Sequence, residues 1–462
     1  MKFENQTFHK VKKIHFVGIG GIGMSGLAEV LINLGYSVSG SDIKASELTE
    51  RLKMLGAKIS YGHSKENVKD VDVVVVSSAV GPDNPEIQMA KELSIPVIPR
   101  AEMLAELMRM KFGIAVCGAH GKTTTTSLIA TILNHAGYDP TCVIGGKLKS
   151  IGSNARLGTG RFLVAEADES DGSFLLLSPV VAVATNIDLE HLDYYSGIEE
   201  IKKAFENFLN KVPFFGLDVI CIDNIHLRSL LSNLKRKYVT YGLSNCADVK
   251  AEKIVMDGFN TDFSVIVKGE PIGRVRLSMP GVHNVVNSLA AIATCLELDI
   301  PFKTIKEALE NFQGIQRRME IRFSGKIVLI DDYGHHPTEI RATISTLRQI
   351  CKGRIIVAFQ PHRYTRTKAL MKEFSTSFEG VDILLVTEIY AASEPKIEGV
   401  SGRALAESIK ANTKAEVYYV ETLDEVTEKI LGFVRDGDLV LTLGAGDIYK
   451  VADRLKEIWS GI

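Results

Sequence analysis

Short β-branched runs alternate with amphipathic stretches along most of this chain, a pattern that predicts parallel strands covered by helices. Three such blocks follow one another. In the first, from Lys13 to about Arg109, IHFVGI, YSVSGSD, AKISYG and VDVVVVSSAV read as strands, with a helix over Ala28–Leu34. Gly35 falls where that helix needs a C-cap, and PEIQMAKELSIPVI adds one more helix and strand. The second block runs from FGIAVCG to roughly Gln316. It carries the strands FLVAEAD, VVAVATN and DVICID, with helices after Lys122 and Ile198 and over Asn284–Leu298. Within it, TDFSVIVKGEPIGRVRLSM alternates at period two and predicts a hairpin turning at Gly-Glu-Pro. The third block holds GKIVLIDDYG, RIIVAFQP, DILLVTE, AEVYYVE and DLVLTLGAGD, each followed by a helical stretch. The expected fold class is α/β in three domains, 1–109, 110–316 and 317–462.

Composition narrows the function without naming it. A chain of 462 residues is long enough for about three cores. Lys plus Arg is 54 against 56 for Asp plus Glu, so no basic field exists of the kind nucleic-acid binding needs. An uncharged stretch near the middle, GSFLLLSPVVAVATNI, is too short and polar to cross a bilayer, and no membrane partner is expected. Cys117, Cys142, Cys221, Cys246, Cys295 and Cys351 contain no C-x-x-C pair, which argues against structural zinc and for buried thiols in a reducing compartment. MKFENQTFHKVKK has no apolar core behind its charges, and a cytoplasmic location is expected.

Chemistry first becomes specific at Gly118-Ala119-His120-Gly121-Lys122-Thr123-Thr124, between a strand and a helix. Glycines let backbone N–H groups wrap a phosphate, the lysine reaches its outer oxygens, and the first threonine can ligate Mg²⁺. The general pattern has a glycine where Val116 stands, so the loop is the shorter G-x-x-G-K-T-T. It predicts ATP binding and makes the central block a P-loop ATPase domain with a mainly parallel sheet. Two acidic strand ends follow. Glu166, Asp168, Glu169 and Asp171 close one strand, and Asn186, Asp188, His191 and Asp193 close the next, where ligands of open α/β sheets gather. Hard oxygen donors there suit Mg²⁺. Glu169 and Asp171 are expected to lie outside the reacting groups.

A second glycine run, Gly18-Ile19-Gly20-Gly21-Ile22-Gly23, follows the first strand, with Asp42 standing 19 residues beyond Gly23. On its face this is a dinucleotide fingerprint, and an NAD-dependent oxidoreductase is one reading of it. With an ATP loop already present in another block, a diphosphate sugar nucleotide is the other.

GIGGIGMSGLAEVL, SGSD, VVVSSAV, GAHGKTTTT, EADESDGSFL, TNIDLEHLDYY, PGVHNVVNSLAA, QRRMEI, DDYGHHPTEI, FQPHRYTRT and LTLGAGDI together resemble the Mur ligase family of peptidoglycan synthesis, over essentially the whole chain. GIGGIGMSG and HRYTRT point to its alanine-adding branch. The resemblance implies Rossmann-like N- and C-terminal domains around the ATPase domain. It also implies ATP-dependent joining of L-alanine to UDP-N-acetylmuramate through an acyl phosphate, with Mg²⁺, in a monomer or homodimer. A recycling ligase that joins a whole murein peptide to the same sugar nucleotide remains an alternative.

Residue roles implied by the resemblance are these. Lys122, Glu166 and His191 would be catalytic, with Thr123 and Glu166 holding one Mg²⁺ and His191 a second. Gly118 to Thr124, Asn284, Arg318 and Asp332 would bind ATP. Gly20, Gly21, Ile22, Asp42 and Ser78 would receive the UDP part. Tyr333, His335, His336, His362, Arg363 and Arg366 would form the amino-acid side, since guanidinium groups clamp a carboxylate. His336 as a mere helix cap stays open. Related ligases carry a carbamylated lysine beyond the metal-binding histidine, and Lys202 and Lys203 do not match its spacing.

Overall fold

The computed structural model describes residues 11–77, 79–148, 153–191, 194–392 and 394–461, and it contains three sheets. The first is built from β1 (Lys13–Val17), β2 (Ser37–Asp42), β3 (Lys58–Tyr61), β4 (Val73–Val76) and β5 (Val97–Pro99), all parallel, in the order β3-β2-β1-β4-β5. Helices α1 (Ile22–Asn33), α2 (Glu47–Met54), α3 (Pro85–Glu92) and α4 (Arg100–Arg109) connect them. Because β1 lies between β2 and β4, the chain leaves it in one direction and returns on the other side. The strand order thus reverses at β1, the point of an open α/β sheet at whose carboxyl ends ligands are commonly bound.

The second sheet has ten strands: β6 (Phe112–Cys117), β7 (Thr141–Leu148), β8 (Ser153–Arg156), β9 (Phe162–Glu166), β10 (Val181–Ala184), β11 (Leu217–Cys221), β12 (Tyr238–Gly242), β13 (Val249–Asp257), β14 (Asn260–Val267) and β15 (Glu270–Leu277). Its order is β15-β14-β13-β12-β11-β10-β6-β9-β7-β8, so the phosphate loop after β6 also leaves from a reversal of strand order. The helices here are α5 (Lys122–His135), α6 (Ile198–Leu209), α7 (Ile225–Leu230), α8 (Val282–Glu297) and α9 (Phe302–Glu310). The hairpin predicted from period-two alternation is present, but it turns at Lys268-Gly269 instead of Gly-Glu-Pro. Both turn residues have positive φ, 49° and 89°, which matches the twist of a two-residue connection. Pro271 falls inside β15, which its position at the sheet edge tolerates.

The third sheet, β16 (Glu320–Ser324), β17 (Val328–Asp332), β18 (Ile355–Phe359), β19 (Ile383–Val386), β20 (Glu416–Tyr419) and β21 (Leu439–Leu443), has the order β16-β17-β21-β18-β19-β20. Only β16 runs antiparallel. Helices α10 (Pro337–Ile350), α11 (Tyr364–Ala369), α12 (Met371–Ser375), α13 (Gly402–Lys410), α14 (Leu423–Phe433) and α15 (Tyr449–Ser460) cover it. Its inner strands are apolar on both faces, Ile330 and Leu441 packing in one cluster and Leu329 and Val440 in another. By contacts the chain groups into two compact units, 1–251 with 265–273 and 286–311, and 252–264 with 274–285 and 312–462.

One buried charge breaks the apolar pattern. Asp218, second in β11, is fully buried, and neither carboxylate oxygen finds a hydrogen bond among the described residues. Burial pushes its carboxyl up to about 8, with Arg236 acting weakly the other way. The folded chain thus keeps a proton that the unfolded chain gives up near pH 3.8, so stability falls as pH rises through about 8. Melting temperature is expected to decline from pH 6 to 9, and Asp218→Asn to flatten that decline. An unchanged slope in the variant would assign the loss to another group.

Candidate active site

Three clusters form at strand ends. The first surrounds the loop after β6. A Cβ on Gly118, whose φ is 135°, would come within 2.0 Å of Thr185 Oγ1, and one on Gly121 within 2.4 Å of Asn287 Oδ1. Glycine is therefore a steric requirement at both positions. The backbone N–H groups of Ala119 and His120 donate to Asn186, to its carbonyl at 3.2 Å and to its Oδ1 at 2.8 Å. The anion cradle is thus the first turn of α5, Lys122 to Thr124, whose N–H groups have no partner within the helix. His120 Nε2 lies 3.0 Å from Asp188 Oδ2.

Lys122 is held at the mouth of that turn. Its ammonium donates to Gly118 O at 2.5 Å and to both carboxylate oxygens of Glu169, at 2.7 and 2.9 Å. Burial alone would lower its pKa, and the carboxylates of Glu169, Asp168 and Glu166 reverse this, so the ammonium stays charged. Glu169, expected from sequence to support the reacting groups from outside or to sit in the loop, is buried and is the direct partner of Lys122. Tyr195 fixes its backbone by donating to Glu169 O at 2.7 Å. Asp171 meets the expectation, bonding only locally to Ser173 N.

Glu166 ends β9, where its Oε1 accepts from Gly145 N at 2.6 Å. His191, at a positive φ of 56°, points Nε2 to within 3.8 Å of Glu169 Oε1 and 3.9 Å of Glu190 Oε2. Thr123 is buried in the first turn of α5. Glu169 links Lys122 to His191, and the carboxylate of Glu166 adds charge near the same ammonium; oxygen donors of this type suit Mg²⁺. Lys202 and Lys203 are engaged on α6 with Glu199 and Glu206. Asp193 and Ser78 lie outside the described residues.

The second cluster is the glycine turn after β1. Gly18 and Ile19 donate to Ser41 O, and Gly20 N donates to Asp42 Oδ2 at 2.7 Å. Asp42 Oδ1 accepts from Ile43 N at 2.7 Å, so this carboxylate braces the loop's own backbone. A Cβ on Gly20 would meet Asp42 Oδ2 at 2.8 Å, which keeps that position glycine. Gly21 caps α1, and Ile22 opens it with its side chain exposed. Below the loop, the buried Glu86 carboxylate binds Ser41, His63 and Asn67 with His15 nearby. These partners outweigh burial and hold its pKa down at about 2.

The third cluster lies at the carboxyl ends of β17, β18 and β21. His335 Nδ1 is 3.1 Å from Tyr333 O, and its ring meets those of Tyr333 and His362 edge-on. Arg366 Nη1 lies 3.2 Å from His362 Nδ1, and Tyr390 stacks flat on His362 with centroids 5.6 Å apart. Burial, with Arg366 and Arg363, pushes His362 down to about 4, so this imidazole is neutral at pH 7. Arg363 adopts a φ of 70° and approaches Glu394 at 3.9 Å. His336 caps α10, Nδ1 accepting from Thr338 N at 3.3 Å, while Glu339 completes a capping box. Arg318 lies over the Tyr333 ring. Asp332 accepts from Met319 N and Gly334 N, and Asn284 donates to Pro280 O.

Arg317, next to the residue singled out from QRRM, carries more of this architecture than Arg318. It binds Asp331, Gly444 O and Gly446 O and lies over Tyr333 and Tyr449. The two adjacent arginines differ in backbone and in side-chain direction, Arg317 having a φ of 58°, and spacing encodes neither. Glu169 and Tyr390 had weak signals of their own, an acid in EADESD and an aromatic in EIYAASEP.

Two phosphate-type glycine turns and a cationic third cluster, on three α/β sheets, define a nucleotide-dependent ligase scaffold. Models of the Mur ligase catalytic domain, middle domain and glutamate ligase domain match residues 13–112, 116–295 and 317–446, and the chain belongs to the Mur ligase family. UDP-N-acetylmuramate–L-alanine ligase of Pelobacter propionicus is 56% identical over 97% of this chain and 98% of its own length. The enzyme of the same name from Geobacter sulfurreducens is also 56% identical, over 96% of each. Among solved structures, a UDP-N-acetylmuramate-alanine ligase from Thermotoga maritima superposes with a TM-score of 0.82 at 34% identity, covering 97% of this chain and 99% of that one. A murein peptide ligase from Psychrobacter arcticus gives 0.72 at 26% identity, covering 98% and 99%.

Proposed function

We propose that this chain is an ATP-dependent ligase that adds L-alanine to UDP-N-acetylmuramate, an early step in building peptidoglycan precursors. The observation that carries this reading is full-length identity of 56% to ligases of that name. The murein-peptide alternative is weaker, because its representative is both less identical and less similar in structure. The oxidoreductase reading has no counterpart in the comparisons, since Mur ligase domain models match along the chain and the similar proteins are ligases.

The chemistry follows from charge. A carboxylate is a poor electrophile, so the sugar acid first attacks the γ-phosphorus of ATP, ADP leaves, and an acyl phosphate forms. The alanine amine then attacks the activated carbonyl carbon, loses a proton, and phosphate departs. In the first step Lys122 carries its positive charge to the transferring group, and the N–H groups of Lys122 to Thr124 orient the phosphates. Thr123, Glu166 and His191 would hold Mg²⁺, which supplies further charge neutralisation at the phosphoryl oxygens. Asn284, Arg318 and Asp332 are assigned to the nucleotide. Gly20, Gly21 and Ile22 are assigned to the UDP part. Tyr333, His335, His362, Arg363 and Arg366 are assigned to alanine, whose carboxylate suits a guanidinium fork. The six free cysteines suit a cytoplasmic enzyme, acting as a monomer or homodimer.

The test is phosphate release from purified protein with ATP, Mg²⁺ and UDP-N-acetylmuramate. Release is expected with L-alanine and not with the murein tripeptide; the reverse would transfer the chain to the recycling reaction. Hydroxylamine added without alanine is expected to trap a hydroxamate of the sugar acid, and failure to do so would remove the acyl phosphate.

A further inference from the structure

Arg100 opens α4, directly after Pro99 at the carboxyl end of β5, and its side chain runs between two of the loops described above. On one side it crosses the first turn of α1. A Cβ on Gly23 would sit 3.1 Å from its Cδ and Nη1 and 3.3 Å from its Cζ, so the guanidinium packs closely over that glycine. On the other side its Nη2 is 3.4 Å from Asp168 Oδ2, in the loop that supplies Glu166 and Glu169 to the Lys122 cluster. That contact is long for an ion pair, and both groups are partly open to solvent, at 26% and 44% exposure. It is the one hydrogen bond Arg100 makes among the described residues. A guanidinium has five N–H donors, and one distant acceptor leaves most of them for a ligand.

The reaction creates a need for a cation at this place. The acid that attacks ATP belongs to the same molecule as the uridine diphosphate, so its carboxylate must extend from the glycine turn after β1 toward Lys122. It is an anion approaching a phosphate, and their mutual repulsion has to be offset by fixed positive charge. Lys122 is committed to the phosphate side, paired meanwhile with Glu169. Arg100 is the basic side chain that touches both the glycine turn and the acidic loop. A planar fork also fixes the direction of a carboxylate, which an in-line attack requires.

We infer that Arg100 binds the carboxylate of the sugar acid, exchanging Asp168 for it, and so positions the nucleophile of the first step. This inference rests on the ligase reading above and adds a residue to it. Gly23 leaves the guanidinium close to the helix start, since a Cβ there would press on it.

The experiment compares two probes by calorimetry, UDP-N-acetylmuramate and UDP-N-acetylglucosamine, which share uridine, diphosphate and sugar but differ in the lactyl acid. Arg100→Ala is expected to weaken UDP-N-acetylmuramate by about tenfold to a hundredfold, the loss of a charge-assisted pair. Binding of UDP-N-acetylglucosamine and the KM for ATP should stay as in the unaltered protein, which also reports that the variant is folded. Arg100→Lys should recover part of the loss by restoring charge without the fork. Equal weakening of both probes would move Arg100 to the diphosphate and overturn the inference, as would no weakening of either. If the unaltered protein binds neither probe, the ligase reading itself fails; if it binds both and the variant matches it, only the role of Arg100 does.

Discussion

Lys122→Ala is expected to lower kcat by about 10³ in protein that is still folded at the assay temperature, with some loss of melting temperature from the broken pair with Glu169. The ammonium is the one cation bonded inside the loop, to Gly118 O and both oxygens of Glu169. When the γ-phosphoryl group transfers, negative charge spreads over oxygens that this ammonium faces in a water-poor setting, where a lost cation costs most. Removing it also leaves Glu169 buried without its partner, so that carboxyl takes up a proton instead of holding a charge in the site. Steady-state phosphate release at saturating substrates checks the prediction. A kcat within tenfold of the unaltered protein would remove Lys122 from the reacting centre.

Glu166→Ala should raise the Mg²⁺ concentration for half-maximal rate by about a hundredfold, with Glu166→Asp intermediate. One oxygen of Glu166 accepts from the Gly145 N–H, which fixes the carboxylate's orientation at the strand end and leaves lone pairs on both oxygens for a cation. Mg²⁺ takes few protein ligands and keeps its waters, so the loss of one fixed carboxylate removes a large share of the protein's hold on it. A Mg²⁺ titration of the rate measures this directly. An unchanged midpoint would restrict Glu166 to bracing β7, through its bond to Gly145.

The clusters differ in how much of them could be read along the chain. The ATP loop was legible because glycine, lysine and threonine at those spacings answer local demands: an αL residue at Gly121, room beside Thr185 at Gly118, and N–H groups at a helix start. The strands were legible from β-branched runs. The hairpin turn was displaced by one residue because Lys268 accepts a positive φ that composition does not advertise. His336 illustrates a position with two readings of equal local merit. The cap geometry belongs to the helix, and only the backbone of α10 reveals it.

What this sequence determined alone was the order of elements, the two glycine turns, and the family. The first two depend on residues near each other in the chain, and the family on motifs spread along all three matched regions. The tertiary structure decided partners. Glu169 became the counter-ion of Lys122 across 47 residues, Arg100 reached Asp168 across 68, and Arg317 closed onto Gly444 across 127. Such pairs are set by strand order and by which way a side chain leaves its strand end or helix turn, and a one-dimensional pattern carries neither.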